Sequence, residues 1–174
     1  MLTARSIGYG GRVRGSSQQR LADLYAAQAP RSLRLAFLMT GDADAADDIV
    51  QEAFVRTYAR LKERQPPDRL EAYLRRTIIN LSHDRHRKLR SARGFSARST
   101  DVQKEPDMDS RLVFRDLLQG LPHRQRAALV LRYYEDLSEH DAAEILRCSV
   151  PALKQLVQRG LKALRQDHQG GNHA

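Results

Sequence analysis

Hydrophobic residues along this chain recur with helical spacing, and the period-two alternation of a half-buried strand is almost absent. After an N-terminal arm rich in Gly and Ser, the first predicted helix carries apolar positions through residues 21–38 and ends at Thr40-Gly41. Pro30 is the one place where its pattern favours an interruption, because proline removes a backbone donor. The pattern therefore predicts helical structure for the first third of the chain.

Two further helices are predicted in the same half. One begins at Asp42 or Asp44, because a carboxylate suits the exposed amides of a helix N-terminus, and it ends before Gln65-Pro66-Pro67. Three apolar stripes can close on one another as a small bundle. The inward positions are Ile49, Val50, Ala53, Phe54, Thr57, Tyr58 and Leu61 in the second helix, and Leu70, Tyr73, Leu74, Thr77, Ile78 and Leu81 in the third.

Helical spacing is lost between residues 91 and 106, where Ser, Gly, Arg and Asp dominate, and it returns near Asp109. The predicted fold is all-α, with two small helical domains joined by a flexible linker. The predicted segments are a flexible arm at 1–17, a first domain at 18–90, a linker at 91–108, a second domain at 109–167 and a tail at 168–174.

The second block contains three predicted helices, and residues typical of helix starts separate them. Leu121-Pro122 opens the first, since proline is favoured at an early helical position. Ser138 can cap the second helix, with Asp141 three residues on resembling a capping box in which Asp is a weaker partner than Glu. Ser149 can cap the third helix after a turn at Arg147-Cys148. Tyr133 and Tyr134 are expected in the core of this block.

Charge singles out the last helix. The chain carries 30 Lys and Arg against 21 Asp and Glu, and from Arg147 to Arg165 there are five basic residues and no acidic one. A polar, positive, acid-free face after a short Ala-containing helix and a tight turn matches a helix-turn-helix recognition helix, and it favours DNA binding over the alternative of a solvated basic face.

Other classes of function are disfavoured. No apolar run approaches the roughly 20 residues that cross a bilayer, and the N-terminus lacks the apolar core of a secretory signal, so we expect no membrane insertion. A single cysteine, Cys148, fits a reducing cytoplasm. His83 and His86 are three residues apart on a basic face and are better explained by nucleic acid or solvent than by a metal. We expect no enzyme, no cofactor and no metal.

Three sets of residues occur in a fixed order. The first is Thr40-Gly41-Asp42 followed by Asp47-Asp48-Ile49-Val50-Gln51-Glu52-Ala53-Phe54, and the second is Ala72-Tyr73-Leu74 with Asn80, Asp84 and Arg87. The third is Leu121-Pro122-His123-Arg124-Gln125-Arg126, Leu129 to Ser138, and Ala142-Ala143-Glu144-Ile145-Leu146. These resemble regions 2.2, 2.3–2.4 and 4 of the extracytoplasmic-function (ECF) sigma factors of bacterial RNA polymerase, in the sigma-70 family, and most of all the actinobacterial SigE-like subgroup.

The resemblance implies an alternative sigma factor that binds core RNA polymerase and promoter DNA, with an anti-sigma factor as a further partner. It implies polymerase binding by Asp47, Asp48, Gln51 and Glu52. It implies recognition and melting of the −10 element by Arg75, Arg76, Asn80, His83, Arg85, Arg87 and Lys88, beside a loop at 63–68. It implies contact with the −35 element by Ser149, Ala152, Lys154, Gln155, Gln158, Arg159 and Lys162.

The chain departs from the family pattern in the last helix and its preceding turn. Arg147 stands where a glycine is usual, so it would need a left-handed backbone or a different turn. Residues 151–156 read Pro-Ala-Leu-Lys-Gln-Leu where Gly-Thr-Val-Lys-Ser-Arg is usual, with Leu156 in the arginine position, and Tyr73 replaces a common tryptophan. Weaker or altered −35 recognition is the expected consequence.

Two alternatives compete with the sigma-factor hypothesis. An autonomous helix-turn-helix regulator would bind a palindromic duplex without polymerase. A polymerase-binding protein with degraded promoter recognition would bind the core enzyme without directing transcription.

Overall fold

A computed structural model describes residues 17–62, 69–92 and 110–170, without the side chains of 90, 92, 110–114 and 167–170. Within these ranges every regular element is helical, which confirms the all-α prediction. The helices are α1 (Ser17–Thr40), α2 (Ala43–Leu61), α3 (Leu70–Ala92), α4 (Ser110–Gln119), α5 (His123–Leu129), a π-helical turn (Val130–Tyr134), α6 (Glu139–Leu146) and α7 (Val150–Gly170).

The predicted arm, linker, tail and 63–68 loop lie mainly outside the described residues. The helices themselves extend somewhat further than the predicted segments, since α3 continues to Ala92 and α7 to Gly170.

The first three helices pack against one another as the predicted bundle. The apolar stripe of α2 is buried as expected, apart from the half-buried Tyr58. In α3, the predicted positions Leu74, Thr77 and Ile78 are buried, whereas Leu70, Tyr73 and Leu81 are half-buried. Ile79 and Ser82 are buried in addition, and the helix packs against α6 as well as against α1 and α2. Buried hydroxyls in the bundle bond back along their own helices, as Thr57 Oγ1 does to the carbonyl of Ala53 at 2.7 Å.

Two local features of the bundle test the sequence reasoning. Helix α1 runs without interruption through Pro30, so the expected break is absent. Ala26, whose carbonyl loses its partner to the proline ring, is exposed and can be solvated. Gly41 has a φ of 75° after α1, and Asp42 then caps α2 by accepting a hydrogen bond from the Ala45 amide at 2.9 Å. Of the two predicted starts, Asp42 is therefore the cap.

The caps of the second block are also as predicted. The Asp141 amide donates to Ser138 Oγ at 3.1 Å, and the Ser138 hydroxyl donates to the Asp141 carboxylate at 2.7 Å. Arg147 ends α6 with φ 50° and ψ 53°, the left-handed conformation that the missing glycine required. The Ala152 amide donates to Ser149 Oγ at 3.3 Å at the start of α7. Gly160 lets α7 approach α5 closely, because a Cβ there would lie 2.9 Å from Leu129 Cδ1.

The π-helical turn corrects one prediction. Tyr133 and Tyr134 are 62% and 36% exposed, so they are not in the core. The Glu135 amide bonds to the Val130 carbonyl five residues back, at 2.9 Å, which inserts one extra residue into the turn. Each extra residue rotates the following side chains by about 100° relative to an α-helix. That rotation exposes the tyrosines and buries Glu135, which is 2% exposed.

The two helical blocks also pack directly on each other. Helix α1 contacts α4 and α5, and α3 contacts α6. The buried apolar residues of both blocks form one continuous cluster that extends from Leu24 in α1 to Leu153 in α7. This contact between the blocks was not predicted, and it determines which surfaces remain accessible.

Candidate polymerase and nucleic-acid interfaces

The exposed side of α2 is the first candidate surface. The side chains predicted to bind polymerase lie there together, opposite the buried stripe: Asp47, Asp48, Gln51 and Glu52. Glu52 accepts a hydrogen bond from Arg56 Nε at 2.7 Å along the helix, and both side chains are about half exposed, at 49% and 52%. An exposed pair of this kind contributes little to stability, so the carboxylate can exchange its partner.

The basic side of α3 is the second candidate surface, and its N-terminal part faces the other block. Arg75 Nε donates to Glu135 Oε2 at 2.7 Å. Arg76 donates to the carbonyls of Glu144 at 2.8 Å and Ile145 at 3.2 Å, near the C-terminus of α6. Both arginines were predicted to track phosphates, and here their donors are bound by protein oxygens.

The remainder of α3 is open. Asn80, Arg87 and Lys88 are exposed. Arg85 is half-buried and lies 3.8 Å from the Asp42 carboxylate, which belongs to the cap of α2. This part of the helix offers cationic and amide groups to a ligand along about two turns.

His83 forms a contact between the blocks. Its ring stands edge-on to that of His123 in α5, with the centroids 4.9 Å apart. Burial, followed by the nearby charges of His83, Arg126, His86 and Arg124, lowers the pKa of His123 to about 3. His123 is therefore neutral at physiological pH, and protonating it in this position is unfavourable.

The outer side of α7 is the third candidate surface. Lys154, Gln155, Gln158, Arg159 and Lys162 are all exposed there, and Ala152 is half-buried. Lys154 lies 3.2 Å from Glu139 of the preceding helix, in an exposed ion pair. Leu156, in the family's arginine position, is half-buried and packs against the core cluster. Its side chain thus belongs to the inner side of the helix.

The contact between the blocks is centred on a buried carboxylate. Glu135 Oε2 accepts from Arg75 and lies 3.0 Å from Arg31 Nε, and Arg31 Nη2 also donates to the Glu135 carbonyl at 2.8 Å. Closer to solvent, Arg69 bonds to Asp141 at 2.8 Å and to Glu144 at 3.1 Å. Hydrogen bonds from Ser138 and then Arg69 hold the pKa of Asp141 below its usual range, and Asp141 in turn raises the pKa of Arg69.

A buried arginine links the blocks at their other end. Arg126 Nη1 donates to the Met39 carbonyl of α1 at 2.5 Å, and Nη2 donates to the carbonyls of Gln119 at 3.0 Å and Leu121 at 3.2 Å. Burial lowers the pKa of Arg126 to about 10, so it remains charged at neutral pH. Gln119 donates to the Leu38 carbonyl at 3.0 Å. These donors satisfy carbonyls at the C-terminal ends of helices, where cations are favoured.

Several of the residues that join the blocks were not predicted from the sequence. Glu135, Arg126, Arg31 and Gln119 belong to no motif that predicts burial or a long-range partner. Glu135 simply follows an apolar run, and its burial depends on the π-helical turn. Val55 was missed as well, although it is 63% exposed on α2 beside the acidic row. An apolar residue that interrupts a polar helix face is the signal that could have found it.

A cleft of about 560 Å³ lies at the junction of the blocks. Its lining includes Leu24 and Leu70 from the first block and Leu137 and Ile145 from the second. Among the described residues, no group of three or more His, Cys, Asp or Glu could hold a metal ion. No helix in the described ranges is long and apolar enough to cross a membrane.

Comparison with known proteins identifies the family to which both helical blocks belong. Residues 24–92 match the Sigma-70 region 2 family and residues 111–164 match Sigma-70, region 4. The chain is 34% identical over 151 residues to the ECF RNA polymerase sigma factor EcfG of Rhodopseudomonas palustris, covering 83% of this chain and 82% of that protein. The chain belongs to the ECF sigma factors of the sigma-70 family. It directs transcription initiation through regions 2 and 4, and it is not an enzyme.

Further relatives agree with the predicted subgroup. The RNA polymerase sigma-E factor of Streptomyces coelicolor is 32% identical over 142 residues, which cover 78% of each chain. Among solved structures, the sigma factor RpoE in complex with the anti-sigma factor NepR from Bartonella quintana superposes with a TM-score of 0.68. It is 22% identical and covers 85% of this chain and 96% of that one, so it supports the fold. Region 2 thus comprises α1–α3, and region 4 comprises α4–α7.

Proposed function

We propose that α2 of this ECF sigma factor binds core RNA polymerase through Asp47, Asp48, Gln51 and Glu52, in the cytoplasm. The observation that carries this proposal is the exposed acidic row on α2 in a chain whose net charge is +9. Carboxylates at the rim of an apolar contact such as Val55 provide complementarity and orientation toward a basic partner surface. An acidic helix start alone explains carboxylates in the first turn, but it does not explain Gln51 and Glu52 farther along.

We further propose that α3 binds the −10 element and that the outer side of α7 binds the −35 element. On α3 the proposed contacts are Arg75, Arg76, Asn80, His83, Arg85, Arg87 and Lys88. On α7 they are Ser149, Ala152, Lys154, Gln155, Gln158, Arg159 and Lys162. Lys and Arg suit phosphates, whereas Gln155 and Gln158 can pair with base edges in a major groove. Exposure of the α7 side chains supports this assignment.

Run-off transcription with core polymerase on sheared genomic DNA tests the proposal. Mapped transcript starts should share upstream −10 and −35 motifs only when this chain is present. The charge reversal Asp48→Lys should lower polymerase affinity roughly tenfold or more, as expected for a charge at a complementary interface. Asp23→Lys is the matched control, because Asp23 is an exposed carboxylate on α1 that lies outside the acidic row. Equal losses from both variants would contradict the assigned surface.

The same assay separates the two alternative functions. Core binding without promoter-specific transcripts would indicate degraded promoter recognition. Tight binding to a palindromic duplex without any affinity for core polymerase would indicate an autonomous regulator.

We also propose an anti-sigma factor as a partner. Similar solved proteins are sigma factors in complex with anti-sigma factors, and the cleft between the blocks has an apolar lining from both regions. A purified candidate should form a stoichiometric complex with the chain and abolish run-off transcription. A candidate that binds and leaves transcription unchanged would contradict this role.

A further inference from the structure

Two glutamines form the centre of the outer side of α7. Gln155 and Gln158, the glutamine pair, lie three residues apart in the first half of this helix, and both are exposed. At about 100° per residue, Leu153 and Gly160 lie on the opposite side of the helix from the midpoint of the pair. Leu153 is 1% exposed, and Gly160 packs closely against Leu129 of α5. The glutamine pair therefore faces directly away from the core of region 4.

Cations flank the glutamine pair on both sides. Lys154 and Arg159 are exposed, and the helical geometry turns each of them about 70° away from the midpoint of the pair, in opposite directions. The ion pair between Lys154 and Glu139 is exposed, so a phosphate can replace the carboxylate. A major groove is about 12 Å wide and presents base edges along its floor, between two phosphate backbones. The order cation, amide, cation across α7 matches this cross-section.

The position of the pair along α7 also fits contact with bases. In a helix-turn-helix domain the N-terminal residues of the recognition helix contact base edges. Over residues 150–160 the glutamines are the side chains that carry both a donor and an acceptor. Ser149 Oγ is already bound to the Ala152 amide as the helix cap, and Leu156 packs against the core cluster. Base-specific hydrogen bonds from this half of α7 therefore fall to the glutamine pair.

The chemistry of the amide determines which base the pair fits. The side-chain amide of glutamine donates through its nitrogen and accepts through its oxygen, and adenine presents the complementary N7 acceptor and N6 donor in the major groove. Guanine presents two acceptors there, so one of the two hydrogen bonds would be lost. Each glutamine thus favours an A·T pair over a G·C pair.

The spacing of the pair determines how far apart these bases lie. Three residues correspond to about 4.5 Å along a helix axis. Successive base pairs are about 3.4 Å apart along the duplex. The two amides therefore reach neighbouring base pairs.

We infer that Gln155 and Gln158 determine the −35 specificity of this sigma factor by pairing with the adenines of two neighbouring A·T base pairs, while Lys154 and Arg159 bind the phosphates on either side. The assignment rests on the proposed binding of the −35 element by α7. It names the bases that this element contains and the side chains that select them.

Transcription from a randomised −35 element tests the assignment. The full chain is assembled with core polymerase on a promoter taken from the mapped transcripts, and the templates that yield transcripts are sequenced. The selected sequences should share two neighbouring A·T pairs, and replacing either one with G·C should lower transcription by about tenfold. A selected element without neighbouring A·T pairs would overturn the assignment.

Exchanging the side chain tests whether the glutamines themselves select these bases. Arginine offers two donors, which match the O6 and N7 acceptors of guanine. Gln155→Arg should change the preference at one of the two positions from A·T to G·C, and Gln158→Arg should change it at the other, each by about tenfold or more. Both sites are exposed, so both variants should keep the wild-type stability in urea.

Gln166→Arg is the matched control, because Gln166 is an exposed glutamine about two turns farther along α7. It adds the same charge and should leave every base preference unchanged. If Gln155→Arg and Gln158→Arg also leave the preferences unchanged, the glutamines contact phosphates only and the assignment is wrong. An A·T preference that arises from the shape of the duplex would likewise not change with the side chain.

The same templates distinguish this assignment from the proposed function. Transcription that depends on the −35 sequence, with preferences that the arginine variants do not change, contradicts the assignment to the glutamine pair alone. Transcription that is indifferent to the whole −35 element contradicts the proposed role of α7 and the assignment with it.

Discussion

Helices α3 and α7 are both basic, both are proposed to bind promoter DNA, and they differ in what lies against them. On α3, arginines are bound by Glu135 and by backbone oxygens of α6. On α7, the corresponding polar side faces solvent, and Lys154 there forms an exposed ion pair with Glu139. A run of basic residues therefore indicates a charged surface, but it does not indicate whether that surface is free.

The largest expected effect is a loss of stability, and it distinguishes the buried side of α7 from the exposed side. Leu153 is 1% exposed, so Leu153→Ala should lower the free energy of unfolding by about 2–5 kcal/mol through lost burial and a cavity. Gln155→Ala, on the exposed side, should leave stability unchanged and weaken binding to −35 duplex. Urea denaturation and duplex titration measure the two effects. A loss of stability in Gln155→Ala similar to that in Leu153→Ala would show that the outer side is not free.

The next largest effect is a loss of stability at low pH, and it arises at the contact between α3 and α5. Because the pKa of His123 falls to about 3 in the folded chain, from 6.5 ordinarily, the unfolded chain takes up a proton first as pH decreases. The stability from neutral His123 is complete above 6.5 and is lost as pH falls toward 3. The slope is at most about 1.4 kcal/mol per pH unit.

Denaturation of wild type and His123→Gln across this pH range measures the effect. The wild type should lose more stability than the variant as the solution is acidified, since glutamine takes up no proton. Parallel pH profiles would contradict the burial of His123 against His83.

A smaller, stabilising effect is expected at the turn that sets the direction of α7. Arg147 has a φ of 50°, which is unfavourable for a side chain with a Cβ. Arg147→Gly should raise the free energy of unfolding by about 0.5–1 kcal/mol. Asp136→Gly is the control, since Asp136 also has a positive φ but aspartate tolerates it better, so its gain should be smaller. Destabilisation by Arg147→Gly would indicate that the arginine side chain stabilises the turn.

The smallest effect is electrostatic. Lys162→Ala should reduce the slope of log affinity against log salt for −35 duplex by about one, because one phosphate contact is lost. Lys62→Ala is matched in charge but lies at the end of α2 over the Tyr58 ring, and it should leave the slope unchanged. The same change in slope for both lysines would mean that the effect comes from net charge.

Much of the fold could be predicted because its signals are local. The apolar stripe of α2, the caps at Asp42, Ser138 and Ser149, and the left-handed Arg147 all depend on interactions within a few residues. Local signals are not always decisive. At Pro30, α1 stays helical despite the lost hydrogen bond, because residues before and after the proline, such as Leu24 and Leu35, are buried in the core. Tyr133 and Tyr134 were wrongly placed in the core because periodicity assumes an α-helix, and a π-helical turn changes the rotation.

The same distinction between local and long-range interactions applies to the candidate surfaces. Membership of the ECF sigma factors, the order of regions 2 and 4, and the acidic row of α2 could all be predicted from the order and spacing of residues, since helical periodicity and family motifs are properties of neighbouring positions. The pairing of Arg75 with Glu135 and of Arg126 with Met39 joins residues 60 and 87 positions apart. Such pairs depend on how the two folded helical blocks pack on each other. The covering of α3 is therefore decided by the tertiary structure and not by the local sequence.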